Sequence, residues 1–241
     1  LNFTAGHDDL SGVMPFLILL GVAALVALIF GPQWWVKAQM RRHGTEREDF
    51  PGTGGELAEH LLEQAGLSDV KVERTDAGDH YDPIDRVVRL SPDVHDGRSV
   101  TAVAVAAHEV GHAVQHRDGD RLFLARIRMA EAAQKLEIGA AILFATAPLV
   151  LAFVRSPAIA VLQIAVALLL LGSRLAMHLV TLPMEFDASF GKALPVLSKG
   201  GYLHENDVPA ARSVLRAAAL TYVASALVTL LDLTRIIRVL R

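Results

Sequence analysis

Residues 13–30 form an unbroken apolar stretch of about 18 residues, long enough to cross the hydrocarbon core of a bilayer as a helix. Gly31-Pro32 ends it. Two more apolar blocks, residues 138–154 and 157–180, are parted only by Arg155-Ser156, which predicts a helical hairpin across a membrane. A fourth block, about residues 217–233, is long enough to span. Arg235, Arg238 and Arg241 would then fall on the side that the positive-inside rule disfavours, which leaves its topology open.

Between the first and second blocks the pattern becomes that of a soluble domain. Residues 43–55 carry Gly, Pro and charge without an apolar period and read as a linker. Thr53 and Glu56, followed by Leu57, Leu61 and Leu62 and then Gly66, predict a capping box, an amphipathic helix and a C-terminal stop. Val70 and Val72 alternate with Lys71 and Glu73 as in a strand, and residues 86–90 (RVVRL) predict a second strand. Residues 76–85 between them read as a turn-rich connection, and residues 99–117 as a helix.

Composition agrees with lipid contact: 52% of the 241 residues are hydrophobic, 20% are charged, and mean hydropathy is +0.38. A net charge of −3 offers no broad basic surface, so nucleic acid is not an expected partner. With no cysteine, any metal must be held by His, Asp or Glu, and a cysteine nucleophile is excluded. The acidic leader His7-Asp8-Asp9 lacks the basic start of a signal peptide, which favours a retained anchor. Trp34 and Trp35 suit the headgroup layer, and Lys37, Arg41, Arg42 and Arg47 follow them. The twelve residues before the anchor carry no Lys or Arg, so residues from about 33 onward are expected on the cytoplasmic side.

The chemistry concentrates in His108-Glu109-Val110-Gly111-His112. Residues four apart share a helical face, so the two imidazoles can hold one cation, with Glu109 beside them as a base for water. A catalytic zinc needs a third protein ligand. His116 lies one turn further, where three turns of one straight helix diverge too far to close a tetrahedron. Asp118 stands six residues after His112, but Gln115 replaces the glycine that would turn the chain. Glu131 and Glu137 precede the hairpin and read as solvated or interfacial carboxylates. Glu185 follows it, and two crossings between His112 and Glu185 return both to one face of the membrane.

Over nearly its whole length the chain resembles the neutral zinc metallopeptidases of prokaryotic membranes, relatives in plan of the HtpX-type and CAAX-prenyl membrane endopeptidases. The resemblance is carried by TGGELAEHLLEQAG, DHYDPIDRVVRLSPDV, AAHEVGHAVQH, LVTLPMEFDAS and AAALTYVASAL, in that order. It implies Zn2+ as cofactor and Glu185 as third ligand beside His108 and His112. It also implies a mainly α membrane protein, with three to four transmembrane helices and a small α+β gluzincin-like metallopeptidase domain. The expected organisation is a tail (1–12), an anchor (13–30), a juxtamembrane linker (31–55), the peptidase domain (56–137) and the hairpin (138–180). A third-ligand helix with a cytoplasmic segment (181–216) and a C-terminal apolar helix (217–241) complete it. Ser189 departs from the pattern, because the relatives place there an aspartate that orients a zinc-bound histidine; Ser189 or Asp187 is left to do this.

The expected activity is hydrolysis of peptide bonds in membrane or membrane-proximal polypeptides, with Glu109 as general base. His80, Tyr81, Arg212 and Tyr222 are unranked candidates for a further donor to the oxyanion. Residues 86–90 are either an ordinary sheet strand or an edge that pairs with an extended substrate. Arg174 and His178 in the third block are expected to snorkel to the interface. Two other readings stand beside this one. A site-2-type intramembrane protease would need residues 100–114 to span, but these are only about 15 residues and the N-P-x-x-x-x-D-G segment is missing. A metal-clamped scaffold would need ligands but not Glu109 beside them. Oligomeric state is not legible.

Overall fold

The structure, a computed structural model, describes residues 9–229, apart from some side chains within the long helices. The fate of residues 230–241, and the side chains of Glu137, Arg174, His178 and Tyr222, lie outside what it describes.

The chain is mainly helical. Helix α1 (Asp9–Arg42) does not stop with the apolar stretch but runs on through Pro32 to Arg42. Helix α2 (Gly54–Gln64) starts at the expected capping box: the Thr53 hydroxyl accepts from the Glu56 amide and the Glu56 carboxylate from the Thr53 amide. Gly66, at φ 69°, takes the left-handed conformation that ends the helix. Strands β1 (Lys71–Arg74), β2 (His80–Asp82) and β3 (Val87–Leu90) form one sheet in the order β1-β3-β2, with β1 parallel and β2 antiparallel to β3.

The sheet corrects one expectation and decides between the two readings of another. Residues 76–85 contain a strand, β2, hidden in the sequence because only Tyr81 of its three residues is buried. Residues 86–90 are not a free edge: β3 is paired on both sides, so the sheet's two edges are β1 and β2.

A short helix α3 (Pro92–His95) leads into α4 (Val100–Arg117), capped by the Ser99 hydroxyl on the Ala102 amide. Every residue of α4 from Val100 to Ala113 is buried, against α2, the sheet, α8 (Val208–Thr229) and a π-helical turn at Asp187–Ala193. Its apolarity is that of a core helix inside a protein domain, which removes the basis of the site-2-type reading.

Helices α5 (Arg121–Val154) and α6 (Pro157–Phe186) form the expected hairpin across Arg155-Ser156, with Arg155 in the left-handed region at φ 53°. Gln163 Nε2 ties them together, donating to the Leu143 carbonyl at 2.9 Å and to Thr146 Oγ1 at 2.6 Å. Two helices, α1 and α5, are long and apolar enough to cross a membrane; α6 carries a shorter described apolar run, Pro157–Leu170. Large side chains stay exposed along all three, among them Phe16, Leu149, Phe153 and Leu169, a belt far beyond an ordinary soluble surface.

The chain then passes through the π-turn, α7 (Leu194–Lys199) and a 3-10 turn (Glu205–Asp207) into α8. Buried alanines on α8 (Ala211, Ala217, Ala224) admit α1 and α6 closely, and Ser213 Oγ donates to Gln39 Oε1 on α1 at 2.8 Å. Leu62, Leu90, Leu197 and Leu215 come from α2, β3, α7 and α8 into one fully buried core. Truncating any of them to Ala would cost about 2–5 kcal/mol.

Candidate metal centre

Helical spacing places His108 and His112 on one face of α4, their ring centroids 4.7 Å apart. Glu185 meets them from the last turn of α6, its Oε2 3.1 Å from His112 Nε2 and 3.5 Å from His108 Nε2. The three residues are buried, and their donor atoms lie within 4.8 Å of one another; among the described residues no other group of His, Asp and Glu does this.

Two local features bring Glu185 there. Gly111 has the Ala188 backbone against it: a Cβ would stand 3.0 Å from the Ala188 carbonyl oxygen. Glu185 in the last turn of α6 and Ser189 in the π-turn, four residues apart, share a helical face and both meet α4.

The outward nitrogens of both imidazoles are occupied. His108 Nδ1 donates to Ser189 Oγ at 2.9 Å, whose one proton goes to the Leu215 carbonyl at 2.9 Å. His112 Nδ1 donates to Gln115 Oε1 at 2.9 Å, and the Gln115 amide donates to the Met184 carbonyl and Asp187 Oδ2, both at 2.9 Å. With Nδ1 protonated on each ring, both Nε2 lone pairs point inward at a carboxylate oxygen. Only a shared proton or a cation reconciles three lone pairs converging on one point, so the donor set fits a metal ion. Burial opposes charge on Glu185, but His112, His108 and Arg126 outweigh it and hold its carboxyl well below the usual range.

Both second partners that the sequence left open are present, on different rings. Ser189 orients His108 directly, whereas Asp187 reaches His112 only through Gln115. Gln115 was missed as a functional residue; its signal was its place three residues after His112, on the same helical face.

Glu109 is 5% exposed, and its Oε2 has no hydrogen-bond partner among the described residues. Burial, offset in part by His108, pushes its pKa up to about 7, suited to proton transfer near neutrality. With His108 and Arg126 it lines a cavity of about 1310 Å³. Its lining includes Val36, Met40, Met177, Ala218 and Thr221 of α1, α6 and α8 as well as His80 and Tyr81 of β2 and residues 91–94.

The rejected ligands are elsewhere engaged. His116 Nδ1 pairs with the Tyr81 hydroxyl at 2.9 Å, and exposed Asp118 ends α4 beside Arg117. Glu131 is exposed on α5. Of the oxyanion candidates, His80 and Tyr81 line the cavity; Arg212 is exposed on α8 and does not. Arg126, unremarked in the sequence, donates to Glu185 Oε1 at 2.9 Å.

A buried His-His-Glu cluster that could hold a metal, beside a glutamate whose Oε2 has no partner among the described residues, fits the class of zinc-dependent hydrolases. The chain belongs to the family described as "Putative neutral zinc metallopeptidase", which matches residues 16–241, and its cofactor is Zn2+. It is similar to the "Putative membrane protease YugP" of Bacillus subtilis (strain 168), 37% identical over 225 residues that cover 92% of this chain and 95% of the relative. No solved structure matches it.

Proposed function

We propose that the protein is an integral, multi-pass membrane endopeptidase that cleaves membrane or membrane-proximal polypeptides at the cytoplasmic face. The observation that carries this reading is the position of Glu109, its Oε2 without a partner among the described residues, beside His108, His112 and Glu185 on a cavity that the long apolar helices help to line. His108 and His112 through Nε2, and Glu185 through Oε2, would hold the zinc. Bound there, zinc supplies Lewis acidity and makes water reactive at neutral pH.

Glu109 accepts a proton from the attacking water and returns it to the leaving amine nitrogen. Ser189 and Gln115 keep the imidazole tautomers and ring planes fixed while this happens. His80 and Tyr81 stand on the cavity wall where a donor to the carbonyl oxygen is needed. An extended substrate would pair with the free edge of β2, since β3 is already paired on both sides and of the two edge strands β2 is the one that lines the cavity. Lys37, Arg41 and Arg42 at the end of α1 support the cytoplasmic placement.

The test uses full-length protein in proteoliposomes with two reporters that share one cleavable segment, one soluble and one tethered by a single span. Wild type should cut the tethered reporter faster, and Glu109→Gln should keep zinc and fold but cut neither. Cleavage by Glu109→Gln would overturn its role as base; equal rates on both reporters would overturn the membrane-proximal substrate.

A further inference from the structure

The two oxygens of Glu185 serve different partners. Oε2 faces His108 and His112, while Oε1 receives a hydrogen bond from Arg126 Nη1 at 2.9 Å, with the carboxylate 1% exposed. Arg126 comes from the first turns of α5, and the way it arrives is well defined. Helix α4 ends at Arg117, Gly119 turns the chain at φ 66°, and Asp120 caps α5 by accepting from the Leu122 and Phe123 amides at 2.9 Å each. Phe123, 3% exposed, then packs against His112 and His116, with ring centroids 6.0 and 5.4 Å apart. The turn that follows the metal helix therefore seats α5 on it and delivers the guanidinium to the third ligand. Arg126 also lines the cavity beside Glu109.

A glutamate with both oxygens free can bind a metal through one or both of them. Bidentate binding would use the position that water needs in a catalytic site, where three protein donors leave a fourth place open. A guanidinium donating to one oxygen at 2.9 Å makes a charge-assisted bond that holds that oxygen out of the coordination sphere. We propose that Arg126 is a positioning residue that restricts Glu185 to a single donating oxygen and thereby keeps the water position open. This rests on Glu185 being a zinc ligand.

The test compares wild type, Arg126→Gln, Arg126→Lys and Glu185→Ala, each purified full length in detergent and loaded with Co2+ in place of zinc. The visible d–d bands of Co2+ report coordination number without any turnover. Wild type should give the strong bands of a four-coordinate site. Arg126→Gln should give weaker bands of higher coordination and, in the zinc form, a kcat about 10–100-fold lower with KM unchanged. Arg126→Lys, which keeps a donor and a charge, should recover part of both. Where Arg126→Gln fails to fold, Arg126→Lys alone carries the test, with band intensity and kcat between wild type and a dead site. A wild-type spectrum in the substituted proteins, or a rise in KM with kcat intact, would overturn the positioning role and make Arg126 a structural or substrate-contacting residue. If Glu185→Ala keeps the wild-type spectrum, Glu185 is not a ligand; the reading of the site itself then fails, a result distinct from failure at Arg126 alone.

Discussion

Gln115→Leu replaces a fully buried amide by an apolar side chain of similar size. Three hydrogen bonds of 2.9 Å are lost, and their fates differ. The Met184 carbonyl keeps the Asp187 amide as a partner at the end of α6, and the exposed Asp187 carboxylate turns to water. His112 Nδ1–H, in contrast, is left buried with nothing to donate to. An orphaned buried donor costs about 1–3 kcal/mol. The same loss frees the ligating ring to rotate or change tautomer, for which a 10–100-fold fall in zinc affinity is expected, about 1.4–2.7 kcal/mol. Gln115→Glu separates the two effects. It keeps an acceptor on His112 but sets a carboxylate against Asp187 where the amide donated, so stability should fall while zinc stays bound. Competition with a chelator of known affinity measures the change in zinc affinity, and the denaturation midpoint of the zinc-free protein the cost of the orphaned donor. Zinc held by Gln115→Leu as tightly as by wild type, or lost from Gln115→Glu to the same degree as from Gln115→Leu, would refute the reasoning.

Further outcomes follow from neighbouring groups. Glu109 has a folded pKa of about 7 against an ordinary 4.5, so the folded state holds its proton more tightly and stability is lost as pH rises between these values. Glu109→Gln should therefore stabilise the zinc-free protein at pH 8, by up to about 3 kcal/mol, and leave it nearly unchanged near pH 4, as read by thermal unfolding at the two pH values. Ser189→Ala removes the link from His108 Nδ1 to the Leu215 carbonyl and should lower zinc affinity about 10–100-fold by the same chelator competition. Gly111→Ala presses a methyl group on the Ala188 carbonyl, forcing the π-turn outward, and should lower proteolysis more than it lowers the unfolding midpoint, because Glu185 and Ser189 move with that turn.

Much of this site was legible because its signals are local. The spacing of His108 and His112 fixes a shared helical face whatever the rest of the chain does, and Glu109 is inseparable from it. Thr53 and Glu56 likewise declare their helix within four residues. The helical hairpin was legible as two apolar runs parted by Arg155-Ser156, and the expectation of two crossings was what pointed to Glu185 as a partner for His112. What escaped notice depends on contacts distant in sequence. Arg126 differs in no local way from Arg121 or Arg128 on the same helix; only the docking of α5 on α4 selects it. Strand β2 is three residues with one buried, too short for an alternation to register, and its presence turned β3 from an edge into a centre. The π-turn has no sequence signature of its own, although Ser189, four residues after Glu185, shares its helical face by spacing alone.

The central claim, that α4 and α6 together hold one zinc ion on which proteolysis depends, is tested most directly by one paired measurement. Zinc content and casein cleavage are determined on the same detergent-purified samples of wild type and Glu185→Ala. One zinc per wild-type chain, lost together with cleavage in the variant, is the predicted result. Zinc and cleavage both retained by Glu185→Ala would contradict it, because the ligands would then lie within α4 and its surroundings and the hairpin would have no part in the site.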